Sequence, residues 1–248
     1  MYQHFILIRF SLAFVHNNMN GIDVVLDENR LKTRFDLFER FCLPSLIHQK
    51  KKTNVLVLIK ITNNLPIHWK ERLYSLIKNY NHIKIQEFDA FNSSYKYALS
   101  NESLKPYINQ NTKLLLTTRL DDDDALHRIF THHVRRFAKN KYNNKIISYP
   151  NGFQYHTNNK LFHKRNYPRI ALGLTLVQKI NNKKFINGVY SKEHTKWHKY
   201  TKCIYPKKIM WVRTMHEQNR SKIGKSKKYK YGSKNLKLIK KKFPHLIF

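Results

Sequence analysis

The chain has 248 residues, 41% hydrophobic and 13% aromatic, which is ample for a packed core and excludes wholesale disorder. Six glycines and seven prolines exclude collagen-like repeats and strings of tight turns, and two cysteines, Cys42 and Cys203, exclude a disulfide framework or a cysteine-based zinc cluster. Lys and Arg number 48 against 15 Asp and Glu, a net charge of +33. Such a charge has two readings: a polyanionic partner, or a coding bias that enriches Lys and Asn throughout.

The opening "MYQHFILIRFSLAFV" is apolar, but Arg9 splits it. It has no basic leader or small-residue cleavage site and is too short to span a bilayer, so it reads as a buried first strand over 4–10. "RFDLFERFCLPSLIHQ" (34–49) predicts a helix with Phe35, Phe38, Phe41 and Cys42 on one face, and Pro44 begins a new turn or helix. "NVLVLIKI" (54–61) reads as a strand, and "PIHWKERLYSLIKNY" (66–80) as a helix with Trp69, Leu73, Leu76 and Ile77 at helical spacing. "IKIQEF" (83–88), "KLLLTTRL" (113–120) and "KIISYP" (145–150) are further strands. "ALHRIFTHHVRRFAKN" (125–140) predicts a helix that buries Leu126, Ile129, Phe130, Val134 and Phe137.

This alternation predicts an α/β fold: a mixed, mostly parallel central sheet with helices on both faces, of Rossmann-like character. Ligands bind such sheets beyond the carboxyl ends of the strands. The second half is less regular, with hairpins, loops and one strand over 170–178. From Ser221 the chain is lysine-rich, predicting a basic C-terminal tail (221–248) with a docked helix around "NLKLIKKKF", after a first domain over 1–220.

"TTRLDDDDAL" concentrates scarce negative charge at the end of the fourth predicted strand. Adjacent carboxylates repel one another, and a hard divalent ion, Mg2+ or Mn2+, relieves the repulsion through oxygen ligands. Alternation in a strand-to-loop turn predicts that Asp121 and Asp123 face one pocket while Asp122 points away. Asp124 is then placed to cap the next helix. Arg119 either holds a phosphate or base, or compensates the carboxylates.

Here the chain resembles the putative rhamnosyltransferase family, nucleotide-sugar glycosyltransferases with a GT-A-like fold. "HFILIRF", "RFDLFERFCLPSLIHQ", "ERLYSLI", "TTRLDDDDAL" and "MWVRTMHEQNRSK" are similar to its blocks in order, from about residue 4 to 222. The sequence departs from the pattern at Asp122, where a polar residue such as Asn is usual. The resemblance implies that Asp121 and Asp123 form a DxD pair that contacts the donor ribose and a divalent metal, with Asp124 assisting. It implies that His216 completes the metal or diphosphate site and that Asn219 belongs to the closing donor-binding block. Arg9, Arg34, Arg72 and Arg119 are candidates for donor phosphates or base. Asp123 counts among the catalytic candidates, with Glu193 and His194 of "YSKEHTKWH" as candidate bases for the acceptor hydroxyl. The pair His194 and His198 has metal spacing but lacks the Glu that follows the first His in zinc hydrolases.

The expected activity is metal-dependent transfer of a sugar, rhamnose or another deoxyhexose, from a nucleoside diphosphate to a glycan acceptor. Two alternatives stand beside it: a Mg2+-dependent nucleic-acid-processing enzyme, and a basic polyanion-binding protein. A nucleic-acid enzyme would need other carboxylates converging on the aspartates, and few are available, so nucleic acid is not the expected partner. The basic tail allows peripheral membrane association, and the cysteine usage predicts a reducing, cytoplasmic location.

Overall fold

The computed structural model describes residues 1–15, 21–180, 188–217 and 236–248. In chain order the elements are β1 (Tyr2–Arg9), α1 (Ile22–Val25), α2 (Glu28–Leu37), a π-helical turn (Phe38–Cys42), α3 (Leu43–Ile47), β2 (Val55–Thr62), α4 (Ile67–Ile77), β3 (Ile83–Phe88), α5 (Tyr95–Ala98) and β4 (Leu114–Asp121). There follow β5 (Ala125–Leu126), α6 (Phe130–Val134), β6 (Lys145–Ile147), β7 (Asn151–His156), β8 (Leu161–Asn166), β9 (Thr175–Lys179), β10 (Cys203–Ile204), β11 (Ile209–Met215) and α7 (Lys237–Lys242). Among the described residues no helix is long and apolar enough to cross a membrane.

The main sheet has the order β10-β6-β9-β4-β1-β2-β3. Strand β9 runs antiparallel to both its neighbours, and every other pairing is parallel, so the sheet is mixed and mostly parallel as expected. Strand alternation assigns its two faces. Ile6, Ile8, Val57, Ile59, Leu116 and Leu120 pack against Leu31, Phe35 and Phe38 of the α2 region and Trp69 and Leu73 of α4. Phe5, Leu7, Leu58 and Leu115 face the other way, against Leu104, Val189 and Trp197. Arg9, Lys60, Arg119 and Asp121 therefore continue this second face. Register sets Arg9 beside both Lys60 and Asp121 at the carboxyl ends of three adjacent strands.

The helix predicted over 34–49 begins earlier, at Glu28, where the Asp27 side chain accepts the Arg30 N–H (2.8 Å) as its cap. The predicted break at Pro44 takes the form of a π-helical turn running into α3. Proline has no N–H to give to the carbonyl four residues back, that of Arg40. The Ile247 N–H occupies that carbonyl instead (3.1 Å). The helix predicted around 235–243 is α7, and Ile239, Phe243 and Leu246 are buried with Leu37, Phe41, Phe153 and Tyr155. Residues 221–235 of the predicted tail lie outside the described residues.

Two expectations give way. No helix spans 125–140: Ala125–Leu126 is a short strand, and α6 covers only Phe130–Val134 before a 3-10 turn. The backbone there is already claimed by β11, through the pairs Val212–Ala125 and Trp211–Leu126 and the His127 N–H to Met210 carbonyl bond (2.9 Å). The strand predicted over 170–178 starts only at Thr175, after Gly173 with a φ of 70°.

β11, β7, β8 and β5 make a second sheet, ordered β5-β11-β7-β8. Its tightest point is Gly152, which pairs with Trp211, a fully buried indole that donates to the Tyr149 carbonyl (2.7 Å). A Cβ at Gly152 would stand 2.0 Å from the indole Cδ2. Gly152→Ala is expected to destabilise the protein by about 1–3 kcal/mol, read as a lower urea midpoint, and an unchanged midpoint would show that the indole yields.

Candidate active site

β4 ends at Asp121, and the chain then turns on itself, with the Asp124 N–H donating to the Asp121 carbonyl (3.2 Å). β11 holds this turn from the side: the Thr214 N–H donates to Asp124 Oδ1 (3.0 Å), and the Thr214 hydroxyl donates to the Asp123 carbonyl (2.9 Å). Asp124 thus meets the backbone of a strand, where a helix N-cap was expected.

Each of the other three carboxylates has a cationic partner. Arg9 Nη2 donates to Asp121 Oδ1 (2.7 Å), across the register pair at the ends of β1 and β4. Arg34, near the end of α2, bridges two acids: its Nε donates to Asp122 Oδ2 (3.0 Å) and its Nη1 to Asp123 Oδ2 (2.8 Å), and its Nη2 also pairs with Asp122. His216 Nε2, just past β11, donates to the same Asp123 oxygen (2.9 Å). Asp122 does not point away as expected. It is buried and shares Arg34 with Asp123, while Asp121 is held by a different arginine. The reason is the turn, which ends the strand alternation at Asp121.

The fields follow from this geometry. Burial pushes the Asp121 carboxyl up, but Arg9, Arg119 and Arg34 override it and hold the group well below the usual carboxylate range. Burial likewise opposes ionisation of Asp123, and Arg34 with the His216 hydrogen bond brings its pKa below normal despite Asp121. Asp124 goes the other way: burial, then Asp123 and Asp121, hold it well above normal. Burial and the two neighbouring carboxylates thus all act against ionisation of Asp124.

Arg9 also donates to the Tyr95 hydroxyl (2.6 Å). Its guanidinium lies 5.3 Å from the Tyr190 ring centre, and that of Arg119 lies 4.9 Å from the same ring. Tyr190 is tied back by a hydroxyl donation to the Leu7 carbonyl (3.1 Å), and burial pushes its phenol up to about 12. Lys60 is fully buried in the same row; its ammonium donates to the Ala98 carbonyl and to Ser103 Oγ (2.8 Å), and burial lowers its pKa to about 7. Sequence reading missed Tyr95, Tyr190 and Lys60. Only Lys60 carried a signal, as a charge inside the apolar run "NVLVLIKI".

His194 is half-buried, its pKa lowered by burial and by Arg119 against the opposing pull of Asp121, which puts it within electrostatic reach of the cluster. Glu193 is exposed and pairs with Lys196 (2.9 Å). Arg72 is not gathered with the aspartates: it pairs with Glu39 (2.6 Å) beside Trp69 and Phe35 on the helical layer. Asn219 lies outside the described residues. His198 is exposed on the 3-10 turn Trp197–Lys199, so the helical spacing with His194 is absent.

Among the described residues no three His, Cys, Asp or Glu side chains converge as a complete metal cage. Asp123 Oδ2 and His216 Nε2 meet at 2.9 Å with Asp121 two residues upstream, and a divalent ion held there would replace the proton that now joins them. Carboxylate and imidazole suit a divalent ion whose other positions are filled by a ligand's oxygens.

Arg34→Met is expected to leave two buried carboxylates without their cation and to cost about 3–5 kcal/mol at pH 7. Asp123 has a depressed folded-state pKa, so its pairing stabilises the fold above the unfolded carboxylate value, about 3.9, and that stability is lost as pH falls through the folded value. The deficit of the variant in urea unfolding should therefore shrink at acid pH.

The sequence profile described as "Putative rhamnosyl transferase" matches residues 3–228. No curated protein matches the sequence. Among solved structures, S. aureus TarS 1-349 in complex with UDP superposes with a TM-score of 0.50 at 9% identity, over 86% of this chain and 60% of that one. The mannosyltransferase PcManGT from Pyrobaculum calidifontis, in complex with GDP-Man and Mn2+, gives 0.49 at 9% identity, over 88% and 59%. The chain thus spans about three-fifths of the length of these structures. At this identity the likeness to the TarS structure is one of fold, in agreement with the GT-A-like fold that the resemblance implied. The profile match covers most of the chain, which belongs to the putative rhamnosyl transferase family.

Proposed function

We propose that the protein is a metal-dependent glycosyltransferase that moves a sugar, rhamnose or another deoxyhexose, from a nucleoside diphosphate to a glycan acceptor. Family membership supports the reaction class. The observation that carries the reading is the pair Asp121 and Asp123 at the carboxyl edge of the parallel strands, with Arg9 and Arg119 on one side and Arg34 and His216 on the other. Such an edge gathers cations for a diphosphate and carboxylates for the metal that accompanies it.

Asp121, Asp123 and His216 are the residues that would hold a divalent ion, and that ion would stabilise charge on the departing diphosphate. Arg9 and Arg119 stand against Tyr190 and bring positive charge to the edge where phosphate oxygens would lie. Asp124, held by Thr214, fixes the turn that aims its neighbours. His194 accepts the proton of the acceptor hydroxyl. Its lowered pKa keeps the imidazole neutral at pH 7, and Arg119 and Asp121 place it in the field of the same cluster. Glu193, exposed beside Lys196, is the second choice for that role.

A nucleic-acid-processing reading needs further carboxylates at the cluster. Among the described residues Glu39, Glu87, Glu102 and Glu193 are instead spent on surface pairs with Arg72, Lys70, Lys105 and Lys196.

Nucleoside diphosphate sugars are the substrates to screen, with and without Mn2+, by thermal shift and by release of the nucleoside diphosphate. Asp123→Asn is expected to lower kcat/KM at least about 100-fold in protein that still unfolds cooperatively, at a lower midpoint because Arg34 and His216 lose a buried carboxylate, and normal turnover in that variant would sink the assignment. If His194 is the base, the rate falls on the acid side with an apparent pKa below 6.5, and His194→Gln removes that limb.

A further inference from the structure

Acidic residues are absent from whole stretches of this chain: none occurs over 40–70, over 125–192 or over 218–248. The fold brings parts of these stretches together. The Lys50 N–H donates to the Arg128 carbonyl (2.8 Å), and the Thr131 hydroxyl bonds the Lys51 carbonyl. The His48 and His245 rings stack at 5.4 Å, and His127 packs edge-on against Phe243 at 5.2 Å. The loop after α3, the segment leading through α6, the start of β11 and the residues after α7 therefore share one end of the molecule.

Their cations face solvent. Lys50, Lys51 and Lys52 are exposed, as are Arg128, Arg135 and Arg136. Lys208 and Lys242 extend the same exposed face. The side chains are close enough to act on shared imidazoles: His132 feels Arg135, Arg136, Lys51 and Lys50, while His127 feels Arg128, Lys242 and Lys208. The ion pairs of Arg9, Arg34, Lys70, Arg72, Lys105 and Lys196 lie elsewhere.

We propose that this basic face is a docking surface for a bilayer carrying anionic lipid headgroups. Charge complementarity selects an anionic partner, at a surface where each added cation strengthens attachment. An exposed apolar side chain favours a bilayer over nucleic acid. Leu238 is 37% exposed on the helical face shared with Lys242, four residues on. The lysines at 50–52 are also remote from the aspartates. Residues 50–54 adjoin the start of β1 through the His4 N–H to Asn54 carbonyl bond, and Asp121 adjoins the end of the strand. Eight residues at about 3.3 Å each separate the two ends by roughly 25 Å. Docking therefore leaves the carboxyl edge of the sheet turned away from the membrane and open to solvent.

The test uses the full chain and co-sedimentation with phosphatidylcholine vesicles, with and without phosphatidylglycerol. Binding is expected only to the anionic vesicles and should weaken with added salt. Lys51→Glu, Arg135→Glu and Arg136→Glu together should weaken it more than about tenfold. A matched triple on exposed residues elsewhere, Lys32→Glu, Lys160→Glu and Lys164→Glu, should change it far less. Both triples keep the rest of the chain, and matching melting curves would establish that both are folded. Equal losses in the two triples would overturn the proposal in favour of diffuse net charge. Displacement from the vesicles by a double-stranded DNA oligonucleotide at equal phosphate concentration would overturn it in favour of a nucleic-acid surface.

Discussion

Arg34 is the group on which the rest of the site depends. Four successive carboxylates leave the end of a buried strand, and three of them are buried side chains. Such a cluster is tolerable only if a cation enters with it. Arg34 supplies that cation from α2 and joins two carboxylates to one guanidinium. The helix places it there because Leu31 and Phe35, on either side of it in sequence, are fixed in the core. The packing of an apolar helix face thus sets the ionisation of the acids on a different element.

β11 supplies the complementary restraint. It ends the strand alternation by holding Asp124 with its backbone and presents His216 to Asp123. The same strand takes the backbone of Ala125 and Leu126, so the chain cannot enter a helix directly after the acids. Two arginines on the other side of the turn are set by strand register and by the Tyr190 ring between them.

The order of strands and helices in the first half was readable because each element there meets one simple demand. Buried parallel strands require apolar runs, and covering helices require a stripe, as in Phe35 and Phe38 or Trp69 and Leu73. The aspartates were readable because they break the local charge balance. The partners were not. Arg34 and Asp122 are 88 residues apart, and His216 and Asp123 are 93 apart, so nothing local links them. Tyr95 and Tyr190 sit in segments without periodicity and acquire their roles only from neighbours on the sheet. The helix expected over 125–140 failed for the same reason: its apolar spacing is real, but a distant strand competes for the backbone groups that the first turn would use.

The run of aspartates has a consequence for how the chain finds its fold. A compact arrangement that buries the end of β4 without α2 alongside, or with β11 slipped by one residue, encloses carboxylates that lack Arg34 or His216. Each such state carries an unpaired buried charge and lies several kcal/mol above the native one. Strand slippage reverses which side chains face inward, so no register is close to correct without being wholly so. In a protein whose other charges are overwhelmingly of one sign, the acids act as a register mark: they tell the two sheets how to meet.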